Sequence, residues 1–344
     1  MSIPVGLNIW SRLVADTFPY LDGVAGPFDS LWFPDHVQYG DSNVAEGWSL
    51  LAFALARYPD KLCGHEVLCN SFRNPAHLAK MVATVQAISG GRFVLGIGAG
   101  WNDEEYRAYG WPFPSARTRI SQLAEAIQLM RVMWTSAPAE YQGQHYQISA
   151  AYCEPRPNPI PPVMVGGKGV QYLLRVVAQH ADWWNYDFAD LPTYGHKQQV
   201  LQTHCREVGR DYAEIQQVIR VGVLIAETER EVAALKAQPF VRPLATGAIG
   251  TPEQVAEFLH KIIDQGAHRL TVHFADAPAS RERVYSRRQC FQIYLEGNNH
   301  AQNACRCFTR VQRFTFGGSP TPATCRIGPS AGQYQSVWVL RHRL

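Results

Sequence analysis

Eight short apolar runs, separated by stretches of helical period, constrain this chain more than any other feature. They are IPVGLNIW (3–10), SLWFPD (30–35), LCGHEVLCN (62–70), RFVLGIGAG (92–100), PPVMVGG (161–167), ADWWNYD (181–187), QVIRVGVLIAE (217–227) and HRLTVHFAD (268–276). Near-continuous apolar strands alternating with helices suit a parallel sheet covered by helices, because both faces of each strand are then buried. Eight such units predict a closed α/β fold, a (β/α)8 TIM barrel, with the active site in the loops at the strand C-termini. A doubly wound open sheet is the alternative.

The intervening helices carry their own signals. In 117–134, Ile120, Leu123, Ala124, Ile127, Met130 and Trp134 recur every three to four residues. Leu78, Met81, Val82 and Val85 share one face of 75–88. Thr251 caps a helix with Pro252 at its first position, Gln254 three residues after the cap and Gly266 as its stop. Two stretches break the rhythm. Residues 136–160 predict an insertion with a small hairpin, and 237–250 a Pro/Gly-bearing loop.

Composition narrows the class. At 46% hydrophobic residues the chain can fill a core, which excludes whole-chain disorder. No apolar run approaches the roughly 18 residues of a membrane span. The start, MSIPVGLNIW, does not read as a signal peptide. Cys63, Cys69, Cys153 and Cys205 are scattered through apolar or helical contexts and read as small buried hydrophobes of a reducing compartment. These features predict a cytoplasmic enzyme, with no metal site. Residues 279–344 differ: ten Arg, no Lys, two Glu and no Asp give +8 there, against +3 for the whole chain. The expected organisation is a barrel over 1–278 and an atypical basic, Cys- and Arg-rich tail over 279–344, frameshifted or disordered. A nucleic-acid or membrane tail is the disfavoured alternative, since such tails usually mix Lys with Arg.

Polar groups collect at the ends of the runs. Asn8 and Trp10 end the first, and Asp35-His36 follow the second. Asn70-Ser71 end the third, Trp101, Asn102 and Glu105 follow the fourth, and Asn185 lies in the sixth. A His at a barrel mouth can move a proton near neutral pH. The glycines of GIGAGW (96–101) permit either a close ligand or tight packing within the barrel. Gly166-Gly167-Lys168-Gly169 lie between a strand and a helix expected over 170–180, which favours a phosphate site. His273, on the last run, can face the barrel or the helices.

FDSLWFPDH (28–36), the long run LCNSFRNPAH…GWPFP (68–114), PPVMVGGKGVQYLLRVVAQHADWWN (161–185) and GTPEQVAEFLHKIIDQGAHRLTVHFADAP (250–278) resemble the bacterial luciferase-like monooxygenase superfamily, and more narrowly its flavin- and F420-dependent oxidoreductases. The likeness covers about residues 3–278, in order. It implies a luciferase-like TIM barrel that binds reduced FMN or coenzyme F420 and acts on a small-molecule substrate. His36 and Asp35 fall on the pair beside the cofactor ring and are the expected catalytic residues. Gly166, Gly167, Lys168 and Gly169 fall on the cofactor-phosphate loop. A non-prolyl cis peptide is implied within Val67–Ser71, which brings Cys69, Asn70 and Ser71 into the cofactor-binding set. Gly100, Trp101 and Asn102, followed by Glu105, fall on the loop over the pocket, and Asn8 and Asn185 complete the set. The superfamily also implies a homodimer. The tail has no counterpart: family members continue with an acidic, Leu-rich closing helix where this chain reads RERVYSRRQCFQIYLEG. The alternatives are a non-catalytic flavin-binding relative, a cofactor-free barrel isomerase or hydrolase, and a nucleic-acid binder resting on the tail alone.

Overall fold

The computed structural model describes residues 3–9, 14–42, 44–188, 190–237 and 247–274. In chain order come β1 (Val5–Asn8), α1 (Val14–Val24), β2 (Ser30–Phe33), α2 (Gly47–Arg57), β3 (Leu62–His65), β4 (Leu68–Cys69), a 3₁₀ turn (Asn70–Phe72), α3 (Pro75–Ser89), β5 (Phe93–Gly98), α4 (Asp103–Ala108) and α5 (Ala116–Thr135). There follow β6 (Ala139–Gln142), β7 (Gln147–Ala151), β8 (Val163–Gly166), α6 (Leu173–His180), β9 (Trp183–Asp187), α7 (Leu191–Val208), β10 (Gln216–Ile225), α8 (Glu229–Lys236), β11 (Ala248–Gly250), α9 (Pro252–Asp264) and β12 (Arg269–Phe274).

Eight parallel strands, β1, β2, β3, β5, β8, β9, β10 and β12, close into a barrel. The ring shuts because β10 pairs with both β9 and β12, and β12 pairs with β1. That closure rules out the open sheet and matches the eight apolar runs. β4 pairs with β5 and β11 with β10, so the third run is two strands with a break between them. The 136–160 insertion carries the expected antiparallel hairpin, β6–β7.

Side chains alternate across each strand. One set fills the barrel: Trp32, Val94, Met164, Trp183 and Val218 form its apolar interior layer. The other set, including Leu7, Leu31, Phe33, Leu95, Ile97, Val165 and Trp184, packs outward in the core under the helices. α3 starts where Asn74 caps Ala76 and His77 and Pro75 presets the first φ, and it stops at Gly90 with φ +66. α9 has the expected capping box between Thr251 and Gln254.

The glycines of the fourth run answer to packing. A Cβ on Gly96 would sit 1.8 Å from the carbonyl oxygen of His65, and Cβ atoms on Gly98 and Gly166 would meet the Val67 side chain at 2.9 and 2.8 Å. Backbone and a β-branched side chain fill those spaces. The helix expected over 170–180 begins only at Leu173, because 170–172 form a turn. Cys63, Cys69, Cys153 and Cys205 are all buried and free. Among the described residues, no helix is long and apolar enough to cross a membrane. The expectations for Trp10, for most of the 237–250 loop and for residues 279–344 lie outside the described residues.

Candidate active site

The loop after β2 and the start of α4 meet over the C-terminal mouth of the barrel. His36 Nδ1 lies 3.0 and 3.1 Å from the two carboxylate oxygens of Glu105. Glu105 also accepts the backbone N–H groups of Val37 at 2.8 Å and Gln38 at 3.3 Å. The neighbouring Glu104 accepts from Gln38 Nε2 and from the Gly40 N–H. Burial alone would raise the Glu105 pKa, but the His36 bond and charge and the two N–H donors outweigh it and hold the carboxyl below its ordinary range. Trp101, 64% exposed, stands edge-on to His36 at 5.8 Å and to Tyr39 at 6.2 Å. Asn102 is the N-cap position of α4, without a side-chain capping bond.

Asp35 points the other way. Arg73 grips its carboxylate with two N–H···O bonds of 2.8 and 2.9 Å, and the Cys69 N–H adds a third at 2.9 Å. Asp35 is 4% exposed. It therefore fastens the segment after β4 to the segment after β2. Cys69 Sγ lies 3.1 Å from the Tyr106 hydroxyl, and burial pushes its thiol up to about 11, so it stays protonated at neutral pH. Gly100, with φ +77, lies against both: a Cβ there would meet Tyr106 Oη at 2.1 Å and Cys69 Sγ at 2.7 Å. Asn70 donates to Tyr146 Oη at 3.3 Å while its buried Oδ1 has no partner. Ser71 is half-buried in the 3₁₀ turn.

Sequence reasoning missed the centre of the site. Glu66 lies inside the barrel and takes three donors: Asn8 Nδ2 at 2.6 Å, Asn185 Nδ2 at 2.5 Å and Thr271 Oγ1 at 2.6 Å. These arrive from β1, β9 and β12. Burial raises the Glu66 pKa, against the opposing pull of Arg220 and of the Thr271 and Asn8 bonds. The available signal was an acidic residue inside an apolar strand run, LCGHEVLCN, since a buried carboxyl needs several partners. The Glu66–Val67 peptide is cis, one bond ahead of the expected Val67–Ser71 window.

Above Glu66, Arg220 pairs with Asp187 at 3.1 Å. The register sets Arg220 beside both Thr271 and Asp187. His273 lies two residues beyond Thr271 on β12, and its buried Nδ1 has no partner.

The Gly166–Gly169 loop divides into a fixed and an open part. Gly166 ends β8 beside Asn185 Oδ1. The Gly167 N–H donates to the Asn185 carbonyl at 3.1 Å, and the Gly167 carbonyl accepts from Trp184 Nε1 at 2.8 Å. Lys168 and Gly169 are exposed, one turn before α6. The structure thus brings His36, Trp101 and Asn102 together in one loop pair. It gathers Asp35, Cys69 and Gly100 in the packing beneath that pair, and Asn8 and Asn185 at Glu66.

Known proteins share this fold. The chain is 29% identical over 208 residues to pyrimidine monooxygenase RutA of Acinetobacter baylyi, covering 59% of this chain and 54% of that protein. It is 36% identical over 149 residues to the F420-dependent glucose-6-phosphate dehydrogenase of Intrasporangium calvum, covering 41% and 44%. The chain thus spans about half the length of these curated relatives. In fold it resembles an F420-dependent secondary alcohol dehydrogenase, with TM-score 0.73, 17% identity, and 86% of this chain and 98% of that chain covered. It resembles EDTA monooxygenase from Chelativorans sp. equally, with TM-score 0.73, 16% identity and 87% and 94% coverage. The sequence profile of the luciferase-like monooxygenases matches residues 25–247, well over half of the chain, and the chain therefore belongs to the luciferase-like monooxygenase family.

Proposed function

We propose that this protein is an oxidoreductase that holds a reduced flavin or the deazaflavin F420 at the barrel mouth and acts on a small organic substrate. The observation that carries this reading is the His36–Glu105 pair over the mouth of a luciferase-like barrel. Relatives named for F420 and for monooxygenase chemistry support both cofactors. The residues present fit a ring cofactor with a phosphate: Asn70 offers a buried, unsatisfied acceptor, and Lys168 and Gly169 present an exposed cation and backbone. When bound, such a cofactor supplies hydride or, as reduced flavin, activates dioxygen.

The chain's own groups then have distinct tasks. Glu105 fixes the His36 ring by holding Nδ1, which aims Nε2 away from the carboxylate as the atom that exchanges a proton with a ligand. Asp35 positions the Cys69–Arg73 segment through its three bonds. Trp101 shields one side of His36 from water. Asn8 and Asn185, oriented by Glu66, shape the floor. A cytoplasmic homodimer completes the reading.

Titration of the purified protein with FMN, FMNH2 and F420, followed by absorbance and fluorescence, tests it. Binding of at least one is expected. His36→Asn should then lower kcat by about 10²-fold while leaving cofactor affinity near that of the wild type. Binding of none of the three overturns the reading.

A further inference from the structure

Among the described residues, two buried polar atoms inside the barrel have no partner: Asn8 Oδ1 and His273 Nδ1. They belong together. Leu7 pairs with Val272 across β1 and β12, so Asn8 and His273 occupy the next rung. The Thr271 hydroxyl reaches Glu66 within the barrel, and alternation puts His273 on that same inward face. Asn8 reaches the same Glu66 through its Nδ2.

We propose that this rung is a subsite for an uncharged ligand edge carrying a hydrogen-bond donor beside an acceptor, as a lactam does, and that Glu66 is its positioning residue. The inference deepens the oxidoreductase reading and rests on it for the ligand's setting. Glu66 binds the Asn8 amino group, so the amide carbonyl turns away and can only accept. Its match is a ligand N–H or O–H. His273 is uncharged at neutral pH, because burial lowers its pKa to about 4, with Arg220 adding to that effect and Asp187 opposing it. A neutral imidazole whose Nδ1 carries the proton donates to a ligand carbonyl. The nearby charges are already paired, Arg220 with Asp187, so the subsite selects hydrogen-bonding pattern over charge. Across the ring of strands, β1 is four places from β8 and its Gly166–Gly169 loop. A lactam edge here comes either from the far end of a cofactor ring anchored at that loop or from the substrate.

The test uses FMN and F420 fluorescence titrations and calorimetric titration with uracil, a small lactam probe, on wild type, His273→Leu, His273→Gln and Glu66→Gln. Thermal melts establish which variants are folded. His273→Leu should weaken at least one probe tenfold or more, and His273→Gln, which retains a donor, should recover most of that loss. Glu66→Gln should weaken the same probe, because it turns the Asn8 amide, and it supplies the test if His273→Leu does not fold. Weakening of FMN or F420 assigns the edge to the cofactor, and weakening of uracil alone assigns it to the substrate. Unchanged affinity for all three probes in the folded variants overturns the subsite. A wild-type protein that binds uracil but none of FMN, FMNH2 and F420 overturns the oxidoreductase reading and leaves the subsite to the uracil arm. One that binds neither uracil nor any of these cofactors overturns both.

Discussion

His36 and Glu105, 69 residues apart, share a hydrogen bond of 3.0 Å that joins the loop after β2 to α4. Glu105 is 2% exposed and takes three donors, so its charge is compensated within the protein. Glu105→Gln should therefore destabilise the fold by about 1.5–3 kcal/mol, the range for hydrogen bonds to a charged group. Urea denaturation at pH 7 measures this. The Glu105 pKa is lowered on folding, so its contribution is present above the ordinary carboxylate pKa and disappears as pH falls through the lowered value. The gap between wild type and Glu105→Gln should close at the acid end.

Asp35 and Arg73 form a buried ion pair, with side chains 0% and 13% exposed. Removing one partner strands a buried charge. Arg73→Met should cost about 3–5 kcal/mol, and the double variant Asp35→Asn/Arg73→Met should cost clearly less than the sum of the two single changes. A double-mutant cycle by chemical denaturation gives the coupling.

The phosphate loop is best probed at Gly169. Gly167 has φ +136, and a Cβ there would lie 2.1 Å from Leu173 Cδ2, so Gly167→Ala should lose about 1–3 kcal/mol of stability whatever the loop binds. A Cβ on Gly169 meets its nearest atom, Leu173 Cβ, at 3.6 Å, an ordinary contact. Gly169→Ala should keep the wild-type melting temperature and lower cofactor affinity severalfold. Wild-type affinity in that variant places the phosphate elsewhere.

His65 is buried against Trp48, with the two rings stacked at 5.7 Å. Burial lowers its pKa to about 4, Asp35 opposes that shift and Arg73 reinforces it. Between the ordinary His pKa and about 4, the unfolded chain binds a proton that the folded chain refuses, so stability falls as pH drops through that window. Each such His contributes up to about 1.4 kcal/mol per pH unit. His65→Phe keeps the aromatic stack and should flatten the urea midpoint's pH dependence between pH 6.5 and 4. An unchanged slope would locate the acid sensitivity in other groups.

The barrel was legible because its signals are local. Apolar runs mark the strands, Asn74-Pro75 and Thr251-Pro252 mark helix starts, and the 136–160 break marks the hairpin. His36 was legible as a candidate from its place after β2, and Asn185 from its place in the sixth run. Glu66 was not, because its partners are 58, 119 and 205 residues away in sequence and meet only when the ring closes. The role of Gly96 was hidden for a similar reason, since the atom that excludes a side chain there is a backbone oxygen of another strand. His273 could not be oriented until the register with β1 was fixed.

Glu104 and Glu105 fasten the stretch Val37–Gly40 to α4 through several bonds at once. The two loops consequently form a single door leaf. Neither can swing away from the other without breaking the whole set together. The amide protons of Val37, Gln38 and Gly40 should then show one shared protection against exchange with solvent deuterium, set by the separation of the two loops.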